Sequence, residues 1–124
     1  MKNENLYISQ EDLFRLGNGT SSRISDVKPR EISTTTINGI ETVVADGRGI
    51  SLYNKEGLDK APLTGWVWII KSGTTFPSGL KLIQDDDPFG HYTLAPMYNM
   101  PLNQYIGLLE QVAIYCEKSF RKKA

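Results

Sequence analysis

Over 124 residues, 14 lysines and arginines balance 14 aspartates and glutamates. That length suits one domain, residues 1–124, with a real hydrophobic core, and the balance gives no net field to draw in a nucleic-acid backbone. A single cysteine excludes an internal disulfide, and no apolar run approaches the roughly 20 residues that span a bilayer.

Near Met1 no basic segment leads into an apolar stretch, so the expectation is a soluble cytoplasmic chain without a classical secretion signal. Met1 to Asn5 is polar and expected to fray, and Leu6, Tyr7 and Ile8 open the first ordered segment. Ser9 suits the cap of a short turn, and Asp12 to Leu16 reads as a short strand with Arg15 between apolar neighbours. Asn18 to Ser25 has loop chemistry without periodicity, and Pro29 keeps Lys28 extended. Thr34 to Val44 places Asn38-Gly39 between runs of Thr, Ile and Val, which predicts a β-hairpin. Ala45 to Gly49 is a tight turn into the strand Ile50 to Tyr53, whose alternation sets Ser51 and Tyr53 on one face just after glycines that would let a ligand approach.

Leu58 to Pro62 is expected to form a helical turn. The run from Trp66 to Ile70 is aromatic and β-branched, which predicts a strand buried on both faces. Ser72 to Gly79 turns the chain into a hairpin or a short crossover. In the next strand Leu80, Leu82 and Gln84 alternate with Lys81, Ile83 and Asp85. Asp85 to Gly90 reads as a solvated turn, and His91 to Leu94 as a further strand cut off by Pro96. From Pro101 to Lys123 the period becomes helical: Leu102, Tyr105, Leu109, Val112, Cys116 and Phe120 recur at spacings of three and four, with Arg121, Lys122 and Lys123 at the end favoured by the helix dipole. Cys116 is then a buried small hydrophobe on that helix. Together the elements predict an α+β domain of mostly antiparallel strands with one C-terminal amphipathic helix.

Four positions carry candidate chemistry. Arg15 offers a planar, permanently charged fork suited to phosphate or carboxylate, although an arginine extending from a sheet edge is as common. Ser51 can hydrogen-bond a ligand amide or simply face solvent. Gln84 offers both a donor and an acceptor, and His91 is the one side chain with an ordinary pKa near neutrality. His91 has no visible Cys or His partner, and Asp85, Asp86 and Asp87 lack calcium-loop spacing, so no metal site is expected.

From Gly49 to about Val112 the order GISLYN, GL, a strand, FPSGLKLIQD, HYTLAP and a helix resembles the type VI secretion exported effector two (Tse-two) toxins. The resemblance covers roughly half of the chain, and Leu13-Phe14-Arg15 extends it toward the N-terminus. It implies an ADP-ribosyltransferase-like fold, a pair of short, mostly antiparallel sheets, with toxicity tied to NAD, through ADP-ribosyl transfer onto a target or NAD cleavage. It further implies a cognate immunity protein or antitoxin, an unidentified cellular target, and delivery into the cytoplasm of a target cell by a secretion system. By the same resemblance, Arg15 holds the phosphates and nicotinamide ribose of NAD, Ser51 supports the nicotinamide side with Tyr53 beside it, Gln84 faces the ribose, and His91 matches the histidine of a His-Tyr-Thr strand. Ser51, Gln84 and His91 would be the catalytic set, with Arg15, Ser51 and Tyr53 binding NAD. Ile50 stands where the family has threonine, and the chain has no Gln-x-Glu or Glu-x-Glu turn. Two other readings are a metal-free RNase toxin, with His91 as general acid or base and Lys81 or Arg15 on the phosphorane, and a non-catalytic interaction module.

Overall fold

The computed structural model describes residues 3–123. In chain order it contains β1 (Asn3–Leu6), β2 (Leu13–Gly17), a 3-10 turn (Pro29–Glu31), β3 (Thr34–Ile37), β4 (Ile40–Val43), β5 (Ile50–Tyr53), α1 (Lys55–Lys60) and β6 (Gly65–Ile70). There follow β7 (Leu80–Gln84), β8 (His91–Pro96), β9 (Met100–Pro101), α2 (Leu102–Ala113) and β10 (Glu117–Lys122). Seven strands form one sheet in the order β1-β7-β8-β5-β2-β6-β10, and β3, β4 and β9 form a second. All the pairings between these strands are antiparallel. The α+β architecture with two antiparallel sheets is the one expected, and the large sheet carries most of the core.

Several elements form for the reasons legible in their residues. Ile37 pairs with Ile40 across a two-residue turn, where Asn38 and Gly39 both take positive φ, 51° and 77°. Those angles match the right-handed twist of the flanking strands, and Asn-Gly tolerates them better than other pairs. Gln84 pairs with Tyr92 in the β7–β8 hairpin. The connection from β6 to β7 is a crossover, because β2, β5 and β8 stand between them in the sheet.

Five expectations are corrected. Asn3 to Asn5 lie in β1, paired with β7, while Met1 and Lys2 fall outside the described residues. Ser9 caps no local turn: its hydroxyl donates to the Lys71 carbonyl at 2.9 Å and accepts the Thr74 amide at 3.2 Å, tying β2's approach to a distant turn. The first helix begins earlier than Leu58, because Asn54 accepts the Gly57 amide at 2.9 Å and so satisfies one of the free amides of a helix start. In β6 only Val67 and Ile70 are buried, since the strand lies next to the edge of the sheet and its tryptophans are half-covered. Trp68 donates its indole N–H to the Asn18 carbonyl at 2.8 Å.

The fifth correction is the C-terminal helix, which stops at Ala113 instead of continuing to Lys123. Cys116 follows the helix end, and Arg121 and Lys122 belong to β10, which pairs with β6 from Glu117 to Lys122. The apolar spacing of Cys116 and Phe120 imitates another helical turn. The backbone groups along β6 offer a ladder instead, and Glu117–Lys122 pairs with it as an outer strand, with an irregularity between Lys118 and Phe120.

The part of α2 that does form lays Tyr105, Leu109 and Val112 onto the core. There they join Ile50, Leu52, Leu82 and Leu94 from β5, β7 and β8. Tyr105 donates its hydroxyl to the Leu94 carbonyl at 2.8 Å within this core. Covering one face of β5 and β8 leaves the alternate residues of both strands on the other face, where the polar side chains gather.

Candidate active site

Opposed residues of an antiparallel pair project on the same side of a sheet. Ser51 stands opposite Thr93, and Tyr53 opposite His91, so the β5–β8 register alone brings four polar or aromatic side chains to one face. Asp85, just past the end of β7, completes the group. His91 Nε2 lies 2.9 Å from Ser51 Oγ, and His91 Nδ1 lies 2.6 Å from Asp85 Oδ1. Thr93 donates its hydroxyl to Asp85 Oδ2 at 2.7 Å. The Tyr53 ring meets the His91 ring edge-on, with centroids 5.3 Å apart. Burial raises the Tyr53 phenol above its ordinary pKa, Arg15 opposing and Asp85 adding to the shift.

These groups open into a hollow of about 490 Å³ lined by Ser51, Asp85, His91 and Thr93 and by Arg30, Glu31, Arg48 and the flanking glycines. The outer wall is built from the segments that lead into and out of the β3–β4 hairpin. Arg48 donates to the Arg30 carbonyl and to Ser33 Oγ, and Ser33 in turn donates to Asp46. That bond is the main reason the Asp46 carboxyl is held below its usual range. Gly49 has a different task from the one its sequence suggests. A Cβ there would lie 2.3 Å from the Leu94 carbonyl oxygen, so its missing side chain makes room for β8 and not for a ligand.

Arg15 occupies the seam between β2 and β5. The two strands pair at Phe14 and Tyr53, and Arg15 reaches back along β5. Its Nη1 donates to the Ser51 carbonyl at 3.2 Å and its Nη2 to the Arg23 carbonyl at 3.1 Å. Nε is buried without a hydrogen-bond partner, and burial lowers the guanidinium pKa against the opposing pull of Glu31. A second hollow of about 250 Å³ adjoins the first through Arg30 and Glu31 and is lined by Arg15, Arg23, Asp26 and Lys28 as well. Arg15, Arg23, Lys28, Arg30 and Arg48 therefore gather with Asp26, Glu31 and Asp85 on the walls of two neighbouring hollows that share Arg30 and Glu31. The arrangement can receive an elongated ligand with an anionic middle and a polar end.

The structure thus brings Arg15, Ser51, Tyr53 and His91 to neighbouring positions. Gln84 is not among them: it aligns with Tyr92, one step out of register from His91 and Thr93, and its side chain leaves on the opposite face. Asp85, expected to be a solvated turn residue, is instead the carboxylate of the group, with a side chain 21 % exposed. The alternation along β7 sets Asp85 on the side of Ile83, which pairs with Thr93 on His91's face; the adjacent Asp86 and Asp87 made the run look like surface. Among the described residues no cluster of three or more His, Cys, Asp or Glu side chains is arranged to hold a metal.

A family model described as Tse2 ADP-ribosyltransferase toxin matches residues 27–119. The chain belongs to this family. It is accordingly an NAD-dependent ADP-ribosyltransferase toxin, the family's co-substrate being NAD. The Tse2 match spans Ser51, Asp85, His91 and Thr93 and begins after Arg15, so Arg15 rests on geometry alone. No curated protein matches the chain. Among the described residues of this Tse2-family chain, no helix is long and apolar enough to cross a membrane. The NAD requirement fits the residues present: a buried arginine nitrogen without a partner, beside Arg30 and beside Arg23 and Lys28, which share Asp26, suits a diphosphate.

Proposed function

We propose that NAD lies across the two neighbouring hollows, its diphosphate toward Arg15, Arg23, Lys28 and Arg30 and its nicotinamide end toward Ser51, Tyr53 and His91. The observation that carries this reading is the Ser51–His91 contact of 2.9 Å in a hollow that shares the Arg30–Glu31 wall with the Arg15 hollow. Bound NAD supplies the ADP-ribosyl group, with nicotinamide as the leaving part. Arg15 holds negative charge at the seam of the sheet while its other nitrogens fix the Ser51 backbone, so binding and site geometry share one side chain. Ser51 hydrogen-bonds the nicotinamide side, and His91 holds the Ser51 hydroxyl in place. Preorganised donors and charges of this kind act without rearrangement during the reaction, which is where such sites gain most.

We further propose that the toxin acts in the cytoplasm of a cell that receives it, on a cellular target, and that a cognate immunity protein protects the producer. Calorimetric titration with NAD tests the cofactor assignment. Saturable binding is expected, with at least a tenfold loss of affinity in Arg15→Ala, about 1.4 kcal/mol. A folded wild-type protein that fails to bind at millimolar NAD, or an Arg15→Ala variant that binds equally well, overturns it. Induced expression in a bacterial cytoplasm is expected to halt growth, and Ser51→Ala or His91→Ala to restore it with the protein still accumulating.

A further inference from the structure

His91 is the chain's only histidine, and its two ring nitrogens face groups of different character. Nδ1 lies 2.6 Å from Asp85 Oδ1, while Nε2 lies 2.9 Å from a hydroxyl that can donate or accept, that of Ser51. Both oxygens of Asp85 are engaged in this arrangement, because Oδ2 accepts the Thr93 hydroxyl at 2.7 Å. An ionised carboxylate has acceptors only, so the ring nitrogen facing it must carry a proton. In the neutral ring the other nitrogen then presents a lone pair, and Ser51 has to donate to it. The Ser51 hydrogen is thereby committed to His91, which leaves the oxygen with lone pairs only on a residue that lines the hollow.

We propose that Asp85 is a positioning residue that locks His91 in the Nδ1–H tautomer and so turns Ser51 Oγ into an acceptor for a ligand N–H, the donor group of a carboxamide. The ligand half rests on the NAD reading, since the nicotinamide carboxamide is such a donor. The tautomer half rests only on the geometry of Asp85, His91, Ser51 and Thr93. Asp85 also explains how a chain without a Gln-x-Glu or Glu-x-Glu turn places a carboxylate behind its site: the charge comes from the end of β7 and acts through an imidazole.

The two halves are tested separately. With a single histidine, long-range proton–nitrogen correlations of isotope-labelled protein report one imidazole. In the neutral ring, Nδ1 is expected to be pyrrole-like and Nε2 pyridine-like in the wild type, and also in Ser51→Ala, because Asp85 sets the preference. In Asp85→Ala the pattern is expected to average or invert. A wild-type ring protonated at Nε2, a pattern lost in Ser51→Ala, or one retained in Asp85→Ala overturns the tautomer lock. Should Asp85→Ala fail to fold, the wild-type and Ser51→Ala spectra decide without it. For the ligand half, the NAD analogue carrying nicotinic acid in place of nicotinamide is expected to bind wild type at least tenfold more weakly, with the discrimination lost in Ser51→Ala. Equal binding of the two by wild type overturns that half. Absence of any NAD binding overturns it together with the NAD reading, while the spectra still judge the lock. NAD turnover adds a last arm. Asp85→Ala, His91→Ala and the double variant are expected to lose a similar factor, as members of one unit do, and additive losses would contradict the coupling.

Discussion

Tyr105 shows how a single side chain serves both the core and the site. Its hydroxyl donates to the Leu94 carbonyl from within the apolar cluster, on the reverse side of the strand that carries Thr93 and His91. Replacing it with phenylalanine leaves the packing and removes the bond, which is expected to cost about 1 kcal/mol in a denaturant titration. Burial also raises the Tyr105 phenol well above its ordinary pKa, and burial with the hydrogen bond to Glu11 does the same to Tyr92. Both groups keep their protons in the fold after the unfolded chain has begun to lose them. The stability this contributes is complete below the unfolded value near 10 and is lost as pH rises toward the folded values. The urea midpoint is therefore expected to fall between about pH 9 and about pH 11, the range around a free phenol's pKa, and to fall less in Tyr105→Phe. A wild-type midpoint that stays level over that range would contradict the burial argument.

At the scale of elements, the site depends on β5 and β8 running close together. Gly49→Ala places a methyl group 2.3 Å from the Leu94 carbonyl oxygen. Backbone cannot yield as a flexible side chain can, so the variant is expected to lose roughly 2 kcal/mol or more and to melt several degrees lower. Asn54→Ala removes the cap of α1 and is expected to cost about 1 kcal/mol. The elements whose signals are local were legible in the sequence. Asn38-Gly39 announced its hairpin, Ile50 to Tyr53 its alternation, and Tyr105, Leu109 and Val112 their helix face. The end of that helix was not legible, because Cys116 and Phe120 keep the helical spacing while the strand that competes for them, β6, lies about fifty residues earlier. The placement of Asp85 and Gln84 on opposite faces was legible as alternation, whereas the meeting of Asp85 with His91 depends on the β7–β8 register.

For the whole molecule, the large sheet joins distant parts of the chain: β1 pairs with β7, and β6 with β10. Such non-local pairing makes loop closure precede any gain in contacts, and refolding is expected to take roughly milliseconds to seconds instead of microseconds. Stopped-flow dilution from denaturant would show it. The fold class followed from composition and alternation, and the family from the order of motifs around Ser51 and His91. The seam that holds Arg15 was legible only as an arginine in an apolar strand, since the single pairing of Phe14 with Tyr53 leaves no mark in either sequence.

β10 has a consequence for how the chain tolerates change at its tail. It forms one border of the large sheet, where Lys118 donates to the Gly19 carbonyl and lies over the Trp66 ring, and Lys122 donates to the carbonyls of Ala61 and Leu63. Cutting the chain after Tyr115 would strip this charged border and bare the backbone of β6 between Trp66 and Ile69, a sticky template for a neighbouring copy. The last few residues thus act as a guard against self-adhesion, and a shortened chain is expected to precipitate from solution before its site is ever tested.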